Sequence, residues 1–230
     1  MTTWTVRISV ALMVFSFGCR GSEDDGMPGV TTTFGETVEG IATYYDADGS
    51  GACMFDPSPN DMDVAALNSV QWSTAAWCGA CADVTGPSGS VRVRIVDRCP
   101  ECDFGHLDMS PQAFDQIAER RLGRVDITWQ FVSCDVSGPV AYKFKDGSNP
   151  WWTAVQVRNH RLPVESLEWS KDGETWQTAE RESYNYFLET DGFGEDGTRV
   201  RITAIDGQVL EDTLPPVESE LEVQGAAQFE

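Results

Sequence analysis

The densest group of residues able to do chemistry is "IVDRCPECDFGHLDMS", residues 95–110. Asp97 and Asp108 bracket a Cys-Pro-Glu-Cys turn between an apolar-polar alternating segment and a helix signal. A carboxyl group beside a saccharide can act as a general acid. Full glycoside hydrolysis takes two carboxylates on opposite sides of the bond. Asp97 and Asp108 are expected to line one wall together, and Asp46 and Asp48 are, by position only, the candidates for a facing base. Plainer roles compete: Asp108, two residues before a helix N-cap, also suits the helix dipole, and Asp97 also suits a turn.

The cysteines admit two readings. Cys78/Cys81 and Cys99/Cys102 are Cys-x-x-Cys pairs with seventeen residues between them, the spacing of a four-cysteine zinc site. The chain has seven cysteines, and if Cys19 is set apart the other six, Cys53, Cys78, Cys81, Cys99, Cys102 and Cys134, all lie in the first folded segment. An even number in an exported chain implies three disulfides, with fifteen possible pairings. A zinc ribbon leaves Cys53 and Cys134 as free thiols, so disulfides are favoured. His106 and His160 lie in different segments without metal-ligand spacing, and there is neither a Gly-rich phosphate loop nor a Gly-x-Ser-x-Gly. No metal and no cofactor is expected.

The compartment is read from the N-terminus. Arg7 precedes an apolar run of about ten residues, 8–17, too short to span a bilayer and suited to a secretory signal. Gly18-Cys19 after that run resembles a lipobox, so residues 1–19 are read as a lipoprotein-type signal with Cys19 as the acylated residue. Residues 20–38, rich in Gly, Thr and acid, read as a flexible linker. The protein is therefore expected to be exported, secreted or held at a bacterial surface by a lipid anchor, which would be its one link to a membrane. A net charge of −21 excludes nucleic acid and anionic membrane as charge-bound partners and disfavours polyanionic wall polymers. A neutral polysaccharide held on apolar faces remains, and eight Trp and five Tyr are available for it.

The elements that position these residues are mostly strands. "GIATYYD" reads as a short strand, "VAALNSVQW" as a brief helical or irregular piece, and "CADVT" with "SVRVRIVD" as a hairpin in which Val91, Val93 and Ile95 share one face. "SPQAFDQIAERRLG" is the one clear helix, with Ser110 as N-cap, Pro111 at N1 and Gly123 as a stop. "RVDITWQFVSC" closes this segment as a strand. After Ser137-Gly138, seven or eight short strands with Asp172-Gly173 and Asp206-Gly207 turns predict a β-sandwich. The domains are thus 39–137, mostly β with one helix, and 138–230.

"NPWWTAVQVRNH" sets Trp151 beside Trp152. Neighbours in a regular strand point to opposite faces, which puts one in the core. Exposed, either ring can stack on the apolar face of a sugar.

In combination, "GIATYYD", "CGAC", "VRIVDRCPEC", "HLDMSPQAF", "WWTAVQVRNHRLPVESLEWSKDG" and the terminal "GAAQF" resemble a bacterial expansin of the group with plant-like cysteines, over both domains from about Gly40 to Glu230. The resemblance implies a six-stranded double-psi β-barrel followed by an immunoglobulin-like β-sandwich that binds carbohydrate. It implies that Thr43, Asp97 and Asp108 form the polar cluster of the wall-loosening groove, with Asp108 the required aspartate. Trp151, Trp152 and Tyr184 would form an aromatic platform for cellulose, both tryptophans exposed, with Lys145 beside it. The cysteines would pair as Cys53–Cys78, Cys81–Cys134 and Cys99–Cys102. One position departs from many bacterial relatives: Cys99 stands where a groove Tyr is usual, which leaves Tyr44 or Tyr45 as substitutes.

The implied function is non-hydrolytic loosening of cellulose-containing walls by a monomer, acting on cellulose or a related β-glucan or hemicellulose. Two rivals stand beside it: an endoglucanase or lytic transglycosylase on the same barrel with Asp108 as general acid, and a non-catalytic cellulose-binding protein.

Overall fold

The computed structural model describes Met1 and residues 32–230. The signal over 1–19, Cys19 and most of the linker lie outside the described residues.

Six strands close into a barrel in the order β1-β5-β2-β4-β3-β6. They are β1 (Val38–Tyr44), β2 (Val64–Asn68), β3 (Cys81–Gly86), β4 (Gly89–Cys99), β5 (Leu107–Met109) and β6 (Val125–Val132). β1 pairs in parallel with β5, and β2 with β4; the other neighbours are antiparallel. Closure removes the unpaired strand edges that an open sheet of this size would present. The interior holds Leu67, Val84, Val93, Ile95, Leu107, Met109, Trp129 and Phe131, all essentially inaccessible. Each side chain so buried contributes about 1.5–3 kcal/mol. Trp77 stacks on Phe131 with ring centroids 3.9 Å apart. β1 can cross close to the loop before β5 because Gly40 has no side chain: a Cβ there would lie 1.9 Å from the Gly105 carbonyl oxygen.

Two local expectations change. "VAALN" is not helical but forms β2, buried at all five positions. A strand covered on both faces loses the alternation that marks a half-buried one. The helix is shorter than read. α1 (Pro111–Ile117) is capped by the Ser110 side chain, which accepts from the Ala113 amide, and ends at Ala118, whose φ of −160° is extended. A short 3₁₀ turn, Arg120–Leu122, follows, and Gly123 caps that turn rather than α1. Arg120 reaches back to Asp115 and to the Pro111 carbonyl.

The sandwich packs a four-stranded sheet, β10-β9-β13-β14, on a five-stranded one, β11-β12-β8-β7-β15. Its strands are β7 (Ala141–Phe144), β8 (Thr153–Arg158), β9 (Val164–Ser170), β10 (Gln177–Thr178), β11 (Glu180–Arg181), β12 (Phe187–Glu189), β13 (Thr198–Ala204), β14 (Val209–Leu214) and β15 (Glu222–Gln224). Tyr142, Phe144, Val155, Leu167, Phe193, Val200, Ile202 and Phe229 fill the space between the sheets.

Barrel and sandwich belong to one compact unit. Phe34 packs against both cores, and the Gly35 amide donates to Phe131. Gln71 Nε2 donates to the Thr32 hydroxyl, and β1 begins at Val38. The Cys134 amide donates to the Arg161 carbonyl at 2.8 Å, and Arg158 pairs with Asp56 at 2.6 Å.

Candidate functional site

The parallel pairing of β1 and β5 sets Thr43 directly opposite Asp108. The Thr43 hydroxyl donates to Asp108 Oδ1 at 2.5 Å and lies 2.8 Å from His106 Nε2. His106 and Asp108 are two residues apart and so lean to the same side, flanking Thr43. Burial pushes the Asp108 carboxyl above its ordinary value, against the Thr43 hydrogen bond that favours the charged form. Burial likewise lowers His106, disfavouring the charged imidazole. His106 opens the "HLDMSPQAF" motif of the resemblance, but the sequence reading gave it no role at the site. The signal that finds it is a His-x-Asp pair at strand period opposite a Thr.

Asp97, at the end of β4, accepts from the Ala52 amide at 2.6 Å and from the Arg98 amide at 2.8 Å through Oδ1. This draws the loop after β1 onto the carboxylate: a Cβ on Gly51 would stand 2.3 Å from Asp97 Cγ. Asp48 accepts from the amide and hydroxyl of Ser50, which hold its carboxyl below the usual range on an exposed turn. Asp46 is exposed.

Tyr45 packs against Ala66 and the Cys99–Cys102 pair. Its hydroxyl is buried with no hydrogen-bond partner among the described residues. Burial, followed by the charges of Asp97 and Asp108, raises its phenol and keeps it protonated. A phenol kept protonated thus stands close to both aspartates. Tyr44 points the other way, with its ring 5.1 Å from Phe114 of α1 and Arg120 above it. It is not brought into the cluster.

The disulfides join Cys53 to Cys78, Cys81 to Cys134 and Cys99 to Cys102, the pairing that the resemblance implies. All six Cys sulfurs are thereby used, and among the described residues no group of His, Cys, Asp and Glu could hold a metal.

On the sandwich, the turn before β8 carries Trp151, 68% exposed, and half-buried Trp152. The turn is fixed by the Asn149–Trp152 bridge, by the Trp151 amide on Asn149 Oδ1, and by the Gly194 amide on the Pro150 carbonyl. Pro150 and this turn break the strand alternation, so neither tryptophan enters the core. Lys145, partly exposed, follows β7, with its amide on the Ala154 carbonyl. Tyr184 is half-buried between β11 and β12, 6.0 Å from the Tyr186 ring. Because β12 runs antiparallel to β8, Trp152 and Tyr184 lie toward opposite ends of that strand pair.

Tyr184 sits between two residues bonded to the barrel. The buried indole of Trp72 donates to the Ser183 carbonyl at 3.2 Å. The Asn185 side chain donates to the Cys53 carbonyl at 3.2 Å, which also accepts from Gln156 at 2.8 Å. Neither Trp72 nor Asn185 carries a local sequence signal for this role, since each acts across more than a hundred residues.

The family model described as "Lytic transglycolase" matches residues 37–129, the barrel. The chain is 38% identical over 193 residues to Expansin-YoaJ of Bacillus subtilis, covering 82% of each chain. It is 29% identical over 201 residues to Expansin-like protein 1 of Dictyostelium discoideum, covering 82% of this chain and 70% of that one. The crystal structure of a Clavibacter michiganensis expansin superposes with a TM-score of 0.77 at 29% identity, over 84% of this chain and 98% of the other. A variant of that expansin, solved in complex with cellohexaose, matches equally well. The chain belongs to the expansin family, with the double-psi β-barrel and second β domain of its bacterial members.

Proposed function

We propose that this protein is exported and loosens cellulose-containing walls without cleaving them. It holds a glucan on Trp151, Trp152 and Tyr184 and leads it toward Thr43, Asp97, Asp108 and Tyr45. The observation that carries this reading is the position of Tyr184: the platform residue nearest the barrel in the chain's own bonding lies between two residues anchored to the barrel that bears Asp108. Flat aromatic faces bind the apolar side of the sugar ring. Hydrogen bonds from the groove then compete with those between neighbouring glucan chains. The cellohexaose complex of the Clavibacter protein supports a β-glucan as the ligand class.

The absence of cleavage is supported by how the carboxylates are held. Asp97 and Asp48 each accept backbone amide hydrogens, which commits those oxygens to the loops that hold them, while burial raises Asp108. A single acid without an opposed base does not complete the two-carboxylate reaction. Export fits three disulfides, which persist in oxidising compartments. A lipid anchor on Cys19, a monomeric state and a minor role for Lys145 beside the platform complete the proposal.

The match of the barrel to the family model described as "Lytic transglycolase" favours one second reading, a lytic enzyme with Asp108 as acid. Wall extension under load and release of soluble sugar, measured on one sample, separate the two. Extension without sugar supports loosening; sugar or muropeptide release that disappears in Asp108→Asn supports the enzyme.

A further inference from the structure

A hydroxyl carries one proton, and the Thr43 hydroxyl lies within hydrogen-bond distance of two groups, Asp108 Oδ1 and His106 Nε2. Two proton orders fit. In one, His106 Nε2–H donates to Thr43 and Thr43 donates to Asp108 Oδ1. In the other, a protonated Oδ1 donates to Thr43 and Thr43 donates to an unprotonated Nε2. An ionised Asp108 has no proton to give, so it permits only the first order. The first order also decides where the acid proton goes once Asp108 takes it up: Oδ1 is already an acceptor, so the proton goes to Oδ2. Among the described residues the protein supplies a hydrogen-bond donor to Oδ1 only. The second order would turn the proton inward and leave Oδ2 as an acceptor.

The geometry points to His106 as a positioning residue: held with its proton on Nε2, it fixes the direction of the Thr43 hydroxyl and so directs the acid proton of Asp108 onto Oδ2, where it can be offered to a glucan oxygen. This rests on the reading of Asp108 as the working group of the groove. The step is the offer of a hydrogen bond, and no covalent bond is broken. The charged groups that face the pair are Arg124, Asp103 and Glu101 around the imidazole and Glu101 and Asp97 around the carboxyl. His106 is largely buried, 9% exposed, so its tautomer is set mainly by the Thr43 contact.

The test is long-range proton–nitrogen NMR of the imidazoles of the full chain, from about pH 5 to 8, the range over which an ordinary histidine titrates. A neutral His106 protonated on Nε2, with that preference lost in Thr43→Val, is the expected result. A neutral ring protonated on Nδ1 overturns the inference. His106→Leu is expected to lower wall extension roughly tenfold, the value of one hydrogen bond, with cellulose binding and melting temperature preserved. His106→Gln, which can still supply an N–H, is expected to restore most of it. Undiminished extension by His106→Leu would also overturn the inference. Full extension by Asp108→Asn is a separate failure, that of the proposed function, and it leaves the tautomer measurement intact.

Discussion

The side-chain amide of Asn185 donates to the backbone carbonyl of Cys53, joining the turn that carries Tyr184 to the disulfide loop of the barrel. Asn185 is buried and has a φ of +64°, in the left-handed region, which Asn tolerates better than most residues. Asn185→Ala loses the hydrogen bond, leaves a buried carbonyl with one fewer donor and adds backbone strain. It should cost about 1–3 kcal/mol in denaturant unfolding. Asn185→Gly removes the bond but fits the backbone, so it should cost less than Ala. Equal losses would show that the left-handed geometry is unimportant there.

The platform should behave as an apolar binding face. Trp151→Ala combined with Trp152→Ala is expected to weaken cellulose binding at least about tenfold, or about 1.4 kcal/mol, in a pull-down. Any fall in melting temperature should come from half-buried Trp152, since Trp151 is 68% exposed. Unchanged binding would remove the sandwich from the account.

Salt gives a second check on how the ligand is held. Contacts between exposed charges are screened within about 10 Å at 0.1 M salt. With a net charge of −21 and a binding face of aromatic rings, cellulose binding should persist through moderate salt. A steep loss would mean that charge holds the ligand.

His160 supplies a pH prediction. It is buried against Gly79, and burial lowers it from 6.5 to about 4. The folded state therefore binds its proton less readily than the unfolded chain. The corresponding stability is present above 6.5 and is lost as pH falls from 6.5 to about 4. The loss is on the order of 3 kcal/mol. Denaturation curves across that window should show the slope in wild type, and a stable His160→Gln variant should lack most of it.

The disulfides should differ in what they do. Loop-closure entropy predicts that removing Cys81–Cys134, with a sequence separation of 53, costs about 4 kcal/mol, and removing Cys99–Cys102, with a separation of 3, costs about 2. Cys99→Ser with Cys102→Ser should nevertheless reduce wall extension, because that pair packs under Tyr45. Chemical unfolding and extension assays on the two paired variants test the reversal of rank.

The parts of this structure that show in the sequence are those written in local periodicity. Val91, Val93 and Ile95 alternate with Arg92 and Arg94, and β4 follows. Ser110 and Pro111 mark the start of α1. Where both faces are buried, as in β2, the pattern disappears and the segment reads as irregular. The groove shows only in part. Asp97 and Asp108 stand out by type and place, whereas His106 matters because β1 and β5 run in parallel and bring Thr43 beside it. Trp72 and Asn185 are invisible locally because their partners come from the other domain.

The most direct measurement is extension of a cellulose-containing wall under constant load, with soluble reducing sugar followed in the same sample, for wild type and Asp108→Asn. Wild type should extend the wall without releasing sugar, and Asp108→Asn should bind cellulose but fail to extend the wall. Sugar release by wild type that is lost in Asp108→Asn would contradict the account.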